Sequence, residues 1–234
     1  MLKHLPTITV ALVIVSLLVF YTAYDKQTKS IVPDKLADVV MFKDAKNSLR
    51  ELNKVAALAS IGLLAIAFLL GPLSKIIPHT FAPMIYARKP IGLAGFVLGL
   101  AHGAYSFFVI YGGSLEKTFF ENPKMLGAVL GIIGLFIFFL MAITSTEKAV
   151  KKMGYARWKT LQRTGYIALF FVVAHFIILE VKPDIGLDVR PYGLLFLFIA
   201  IVALALKAIS IFIKVEQNPA HDSTIFMHPE EKKR

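Results

Sequence analysis

Six apolar runs of roughly 18–22 residues alternate with polar, mostly basic stretches. Each run is long enough to cross a ~30 Å hydrocarbon layer as an α-helix. They predict helices over about 7–24, 54–73, 90–112, 125–143, 164–181 and 192–213, followed by a polar tail over 214–234. Local signals agree with these limits. Gly71-Pro72 closes the second run, Pro90 opens the third, and Tyr111-Gly112-Gly113 ends it. The stretch 25–53 is long for a bundle connection. Its second half, 34–52, mixes Leu36, Val39, Val40 and Phe42 with charges, a pattern open to an interfacial helix or a solvated loop. No ~10-residue segments alternate as a membrane barrel requires. The predicted fold class is all-α, a polytopic membrane protein built as a six-transmembrane-helix bundle over residues 1–213.

Composition supports this class. The chain is 57% hydrophobic with a mean hydropathy of +0.69, against ~45–50% apolar residues in soluble domains. The first run follows only a weak positive start, Met1-Leu2-Lys3-His4. It is long for a signal-peptide core and lacks an A-x-A-like site, so an uncleaved helix is expected. The net charge of +11 does not point to nucleic acid, because Lys and Arg gather in the connections, where they orient a membrane protein. With six spans, the side holding both termini carries 14 basic residues and the other 11. The densest short connection, 144–163, lies on the richer side. Lys207 sits near that face and can snorkel to it. The expected placement is the inner (cytoplasmic) membrane, multi-pass, with both termini cytoplasmic. The absence of cysteine excludes disulfides, thiolate metal sites and Cys-ligated Fe–S clusters.

Chemistry concentrates on two histidines. His4, His79, His221 and His228 fall in tails or loops and read as solvated. His102 and His175 fall inside spans, where a polar side chain asks for a functional partner. Each lies twelve residues beyond the inner start of its helix, Pro90 or Arg163, which puts both at ~18 Å depth. Two imidazoles at one level, on helices running the same way, can clasp a planar macrocycle such as haem from either face. An interhelical hydrogen bond, or a proton relay in a haem-free transporter or scaffold, fits the same residues. Gly95, Gly99 and Gly103 share a face beside His102, either for close helix packing or to leave room for a porphyrin. Phe170, Phe171 and Phe176 suit a lipid face, a core or the wall of a dry pocket.

Three stretches resemble the ferric-reductase-like transmembrane domain family, and within it the haem-binding membrane subunits of bacterial protein-methionine-sulfoxide reductase systems. They are Arg88-Lys89-Pro-Ile-Gly92-Leu93 followed by His102; Thr144-Ser145-Thr146 with Lys152, Gly154, Trp158 and Leu161; and Tyr166 with His175. Pro72-Leu73 adds a weaker match, and the likeness spans most of 54–180. It implies one b-type haem between His102 and His175, and transmembrane electron transfer with no catalytic residue of its own. One departure matters. The family's further helix-5 histidine, four residues after the tryptophan, is replaced here by Gln162, a poor haem ligand. An inner second haem is therefore not expected, and FMN or a quinone near Gln162, Arg163 and the basic connection is the candidate for electron entry. Arg88, Lys89 and Arg163 fit either pairing with anionic cofactor groups or plain positive-inside charge. No G-x-G-x-x-G occurs, so a cytoplasmic flavin reductase or quinol is the expected donor. An extracytoplasmic redox protein, a molybdenum-containing methionine-sulfoxide reductase, is the acceptor that the resemblance implies. Direct reduction of ferric iron or another small acceptor is the alternative. Membrane lipid is the expected surround, and no nucleic-acid partner is expected.

Overall fold

The computed structural model describes residues 4–25, 27–182, 186–187 and 189–212. The predicted tail, with His221 and His228, lies outside them. Among the described residues, five helices are long and apolar enough to cross a membrane, and a shorter apolar helix, Leu5–Tyr21, joins them. The order is α1 (Leu5–Ser16, continued by a π-helical turn Leu17–Tyr21), β1 (Tyr24–Asp25), β2 (Ser30–Ile31), α2 (Pro33–Val40), α3 (Ala45–Ile76) and α4 (Pro78–Phe81). A 3-10 turn, Ala82–Ala87, leads into α5 (Arg88–Tyr105, continued to Ile110 by a π-helical turn). Then come α6 (Met125–Ile143), α7 (Glu147–Met153), α8 (Tyr155–Glu180), β3 (Val181–Lys182), β4 (Gly186–Leu187) and α9 (Pro191–Phe212). The strands form two antiparallel two-residue ribbons, pairing Tyr24 with Ile31 and Val181 with Leu187 at their ends. Large apolar residues such as Phe108, Phe198 and Phe170 stay on the outside, as expected of a surface solvated by lipid.

Two helices reach further than the apolar runs. The second span starts at Ala45, not near 54. Asp44 adopts extended backbone and its carboxylate accepts from the Asn47 N–H at 3.2 Å, an N-cap that satisfies a donor left open in the first turn. The first two turns of α3 are therefore polar helix ahead of the membrane segment. The amphipathic stretch before them is the short helix α2. The fifth span starts at Tyr155, not near 164, and the basic connection is mostly helical. Gly154 separates α7 from α8 with φ +80° and ψ 143°, a conformation open to glycine and costly for other residues.

The middle of α3 is the centre of the bundle. Leu58, Ala59, Leu63, Ala65, Ala67 and Phe68 are buried, with α5 and α9 packed on α3 and α6 paired with α8. Pro72 lies inside α3 and is fully buried. A proline has no N–H, so the carbonyl four residues earlier, on Phe68, loses its helical donor. The Tyr166 hydroxyl of α8 donates to that oxygen at 2.9 Å. Gly165 permits the approach, since a Cβ there would stand 2.4 Å from the Phe68 ring. The Arg88 guanidinium lies 5.2 Å from the Phe68 ring centroid and 5.9 Å from that of Tyr166, and the Lys207 ammonium lies 5.3 Å from the latter. These contacts gather the C-terminal ends of α3 and α9 with the N-terminal ends of α5 and α8, here called the basic end. At the other end, Arg190 donates to the Tyr21 carbonyl at 2.7 Å and to Glu51 at 3.1 Å, while Lys124 donates to the carbonyls of Leu179 and Val181 at the end of α8.

Tyr166→Phe keeps the ring and removes the donor. The Phe68 carbonyl is then unsatisfied in an apolar setting, at a cost of about 1–3 kcal/mol. Thermal unfolding in detergent should show a lower midpoint. An unchanged midpoint would mean that another donor serves the carbonyl.

Candidate functional site

His102 on α5 and His175 on α8 meet inside the bundle. Their ring centroids are 6.5 Å apart and their planes differ by 75°. Each ring is held through Nδ1. His175 Nδ1 lies 2.7 Å from the Gly127 carbonyl oxygen of α6, and a carbonyl only accepts, so this nitrogen carries the hydrogen. His102 Nδ1 lies 3.1 Å from the Asn53 side-chain oxygen, again an acceptor. The Asn53 amide is itself oriented by donating to the Ser106 hydroxyl at 3.3 Å. In the neutral form each imidazole is thereby the Nδ1–H tautomer, whose Nε2 keeps its lone pair. This is the form in which histidine binds a metal, with its second nitrogen anchored behind it.

The spacing suits one metal between the rings. Two metal–imidazole bonds of ~2.0–2.1 Å, with each centroid a further ~1.1 Å back, would set the centroids about 6.2–6.4 Å apart. Among the described residues, no group of three or more His, Cys, Asp or Glu side chains gathers to hold an ion. The pair thus suits a metal that brings its other ligands with it, as iron does in a porphyrin.

The two rings line a cavity of about 540 Å³, within the ~300–1,000 Å³ usual for cofactor sites. Its body is apolar, with Leu64, Phe96, Leu135, Phe138 and Val172. Glycines shape it from two sides. Gly95 is closed off by Leu64 and Ser60, so packing explains it. Gly99 packs against the Ser60 hydroxyl and, with Gly103, also lines the cavity. On α6, Gly131 lies directly behind His175, where a Cβ would come within 2.6 Å of Nδ1. Phe176 lines the cavity, Phe170 faces outward, and Phe171 packs beside Phe170 at 6.0 Å. Lys54 and Arg190 add positive charge to the lining at the Arg190 end, and the Arg190 Nε is buried without a partner among the described residues. They suit the carboxylate edge of a porphyrin.

Arg88 and Arg163 do not line this cavity. Arg88 stacks on Phe68 and Tyr166, and Arg163 is exposed at the basic end. Gln162 is half-buried, and its side-chain Nε2 is buried with no acceptor among the described residues. Reasoning from sequence passed over Asn53, which falls just before the predicted second helix. It also passed over Gly127 and Gly131, although their spacing of four is the signal noted on the third helix.

A family model described as the ferric reductase like transmembrane component matches residues 56–181, a stretch that holds both histidines. The chain belongs to this family. Among its relatives is the protein-methionine-sulfoxide reductase heme-binding subunit MsrQ of Agrobacterium fabrum, 26% identical over 135 residues, covering 56% of this chain and 60% of that protein. Another is the magnetosome protein MamZ of Magnetospirillum gryphiswaldense, 32% identical over 94 residues, covering 39% of this chain and 14% of that protein. The chain thus spans less than two thirds of the length of either relative.

Asn53→Leu leaves the His102 Nδ1–H without its acceptor, and Gly131→Ala pushes on the His175 ring. Neither removes a ligating atom. Loss of a partner behind a metal-binding histidine typically costs 10–100-fold in affinity. Titration of the purified protein with haem should show weakening of that order in both variants. Affinity equal to the parent's in both would remove the anchoring role given to these contacts.

Proposed function

We propose that the chain is the b-type cytochrome subunit of a membrane redox system. It would move single electrons from a cytoplasmic or quinol donor to an oxidoreductase on the outer side. The observation that carries this reading is the histidine pair: two imidazoles 6.5 Å apart, each with Nδ1 engaged and, among the described residues, no hydrogen bond at Nε2. His102 and His175 would hold haem b from its two faces, while Lys54 and Arg190 meet its carboxylates. The bound group would supply a one-electron iron couple. The chain's own residues orient the two rings, keep water from the apolar cavity body and fix which nitrogen faces the metal. A proton relay fits less well, because a backbone carbonyl and a carboxamide, the groups behind the two rings, do not pass protons on.

One haem is the expected content. Gln162, which stands where the family resemblance has a second helix-5 histidine, offers an amide that ligates iron poorly. FMN or a quinone would then take up electrons at the basic end, with a cytoplasmic flavin reductase or quinol as donor. Arg88 and Arg163 supply positive charge there for an anionic group. The MsrQ relative is named as the haem-binding subunit of a methionine-sulfoxide reductase. A reductase of that kind, containing molybdenum, is accordingly the acceptor proposed here. The excess of basic residues supports a reading in which the basic end and both termini lie in the cytoplasm of an inner-membrane protein.

The haem-to-protein ratio of the purified chain, with its absorption spectrum, tests this directly. A ratio near one is expected, falling to near zero on replacing either His102 or His175 by alanine. No Soret band with haem supplied would overturn the cytochrome reading. A ratio near two would overturn the one-haem reading, and haem retained in both variants would overturn the ligand assignment.

A further inference from the structure

We propose that the basic end holds a binding site for the phosphate of an acidic phospholipid, built between α3, α5, α8 and α9. Four cations converge there from four helices: Lys75 at the end of α3, Arg88 at the start of α5, Arg163 on α8 and Lys207 on α9. Arg88 and Lys207 both approach the Tyr166 ring, at 5.9 and 5.3 Å from its centroid, so they are at most about 11 Å apart. Lys75, Arg163 and Arg88 all lie within electrostatic reach of the Lys207 ammonium. Among the described residues, none of the four forms an ion pair with a carboxylate.

That imbalance is the reason to look for a ligand. Arg88 and Lys207 are half-buried, and like charges repel more strongly there than on an open surface; an anion shared with the exposed Lys75 and Arg163 offsets that cost. A spare donor waits nearby. Gln162 lies one helical turn from Tyr166 on the same face of α8, and its buried Nε2 has no acceptor among the described residues. The surroundings say which anion. Lys207 lies within a membrane-spanning helix, half-buried, so the site is entered at the level where lipid headgroups meet hydrocarbon. Ile76 and Ile77, beside Lys75, are exposed and offer apolar surface for an acyl chain. Basic pockets between transmembrane helices on the cytoplasmic side are a recurrent way of holding anionic headgroups. Phosphate chemistry is shared with FMN, one of the two groups proposed above for electron entry, but the apolar approach and the depth of Lys207 favour the lipid, which leaves a quinone as the electron-entry group at this end. The assignment uses no part of the haem cavity.

The purified protein in detergent is given phosphatidylglycerol, phosphatidylcholine, FMN or inorganic phosphate in separate arms. Thermal midpoint, lipid retained in native mass spectrometry and haem absorbance are read together. Phosphatidylglycerol is expected to raise the midpoint by about 5–10 °C at ~100-fold above its Kd and to stay bound. Phosphatidylcholine should do neither. Arg88→Gln/Lys207→Gln should lose the shift. Lys75→Gln/Arg163→Gln, which alters only exposed side chains, should show it reduced even if the first variant folds poorly. Lys148→Gln/Lys151→Gln removes equal charge elsewhere and should keep it. An equal shift in every variant, or an equal shift with phosphatidylcholine, overturns the proposal. A shift with FMN or phosphate but not with phosphatidylglycerol assigns the site to a soluble ligand and also overturns it. Haem absorbance reports separately on the cytochrome reading.

Discussion

An imidazole N–H buried in hydrocarbon has to donate somewhere, and where it donates decides which nitrogen is left for chemistry. Here the acceptors are a backbone carbonyl, on Gly127, and a carboxamide, on Asn53. Each sits on a helix other than the histidine's own. The tautomers of His102 and His175 are thus set by how α3, α5, α6 and α8 pack, and a shift of any one helix would release a ring. This links the bundle to the site more tightly than apolar packing alone, which tolerates sliding. It also explains the bare backbone on α6. Only without a side chain at Gly131 can the His175 ring lie close enough for its N–H to reach the Gly127 oxygen.

The same constraint governs the core around Pro72. A proline inside a membrane helix frees a carbonyl that has no water to turn to. Tyr166 answers it from α8, and its ring then serves as the surface against which Arg88 and Lys207 rest. One missing N–H on α3 thereby accounts for the position of a tyrosine, the close approach at Gly165 and the seating of two cations. Pro72 and Tyr166, far apart in the chain, are two halves of one hydrogen-bonding solution.

The membrane class was legible in sequence because hydrocarbon thickness imposes a run length that few soluble segments reach. The nearness of His102 and His175 was legible because equal spacing from two inner helix starts becomes equal depth at a constant rise. What escaped has a common cause. Hydropathy marks where a helix enters lipid, not where it begins, so the capped polar turns of α3 fell in a stretch left open between an interfacial helix and a loop, and the early start of α8 fell in the basic connection. Asn53 went with them, since a polar residue at the edge of an apolar run looks like an end. In the fold it is 8% exposed and directed at the site. Gly127 and Gly131 escaped for another reason. A glycine pair of that spacing is common in membrane helices, and only the position of His175 opposite gives it meaning.

The two ends of the molecule handle charge differently. At the Arg190 end, Glu51 bridges Lys54 and Arg190 at 2.7 and 3.1 Å, so a carboxylate of the protein offsets part of the charge of the cations that line the cavity and leaves the Arg190 Nε to meet a ligand. At the basic end, Lys75, Arg88, Arg163 and Lys207 pair with no carboxylate among the described residues. Charge that serves only to orient a membrane protein needs no convergence, because it acts equally well when scattered along loops. Three of these cations stand within electrostatic reach of the fourth, on separate helices, and two of them are half-buried against one aromatic ring. That arrangement costs stability unless an anion shares it, and the cost is what separates a binding site from a topological signal.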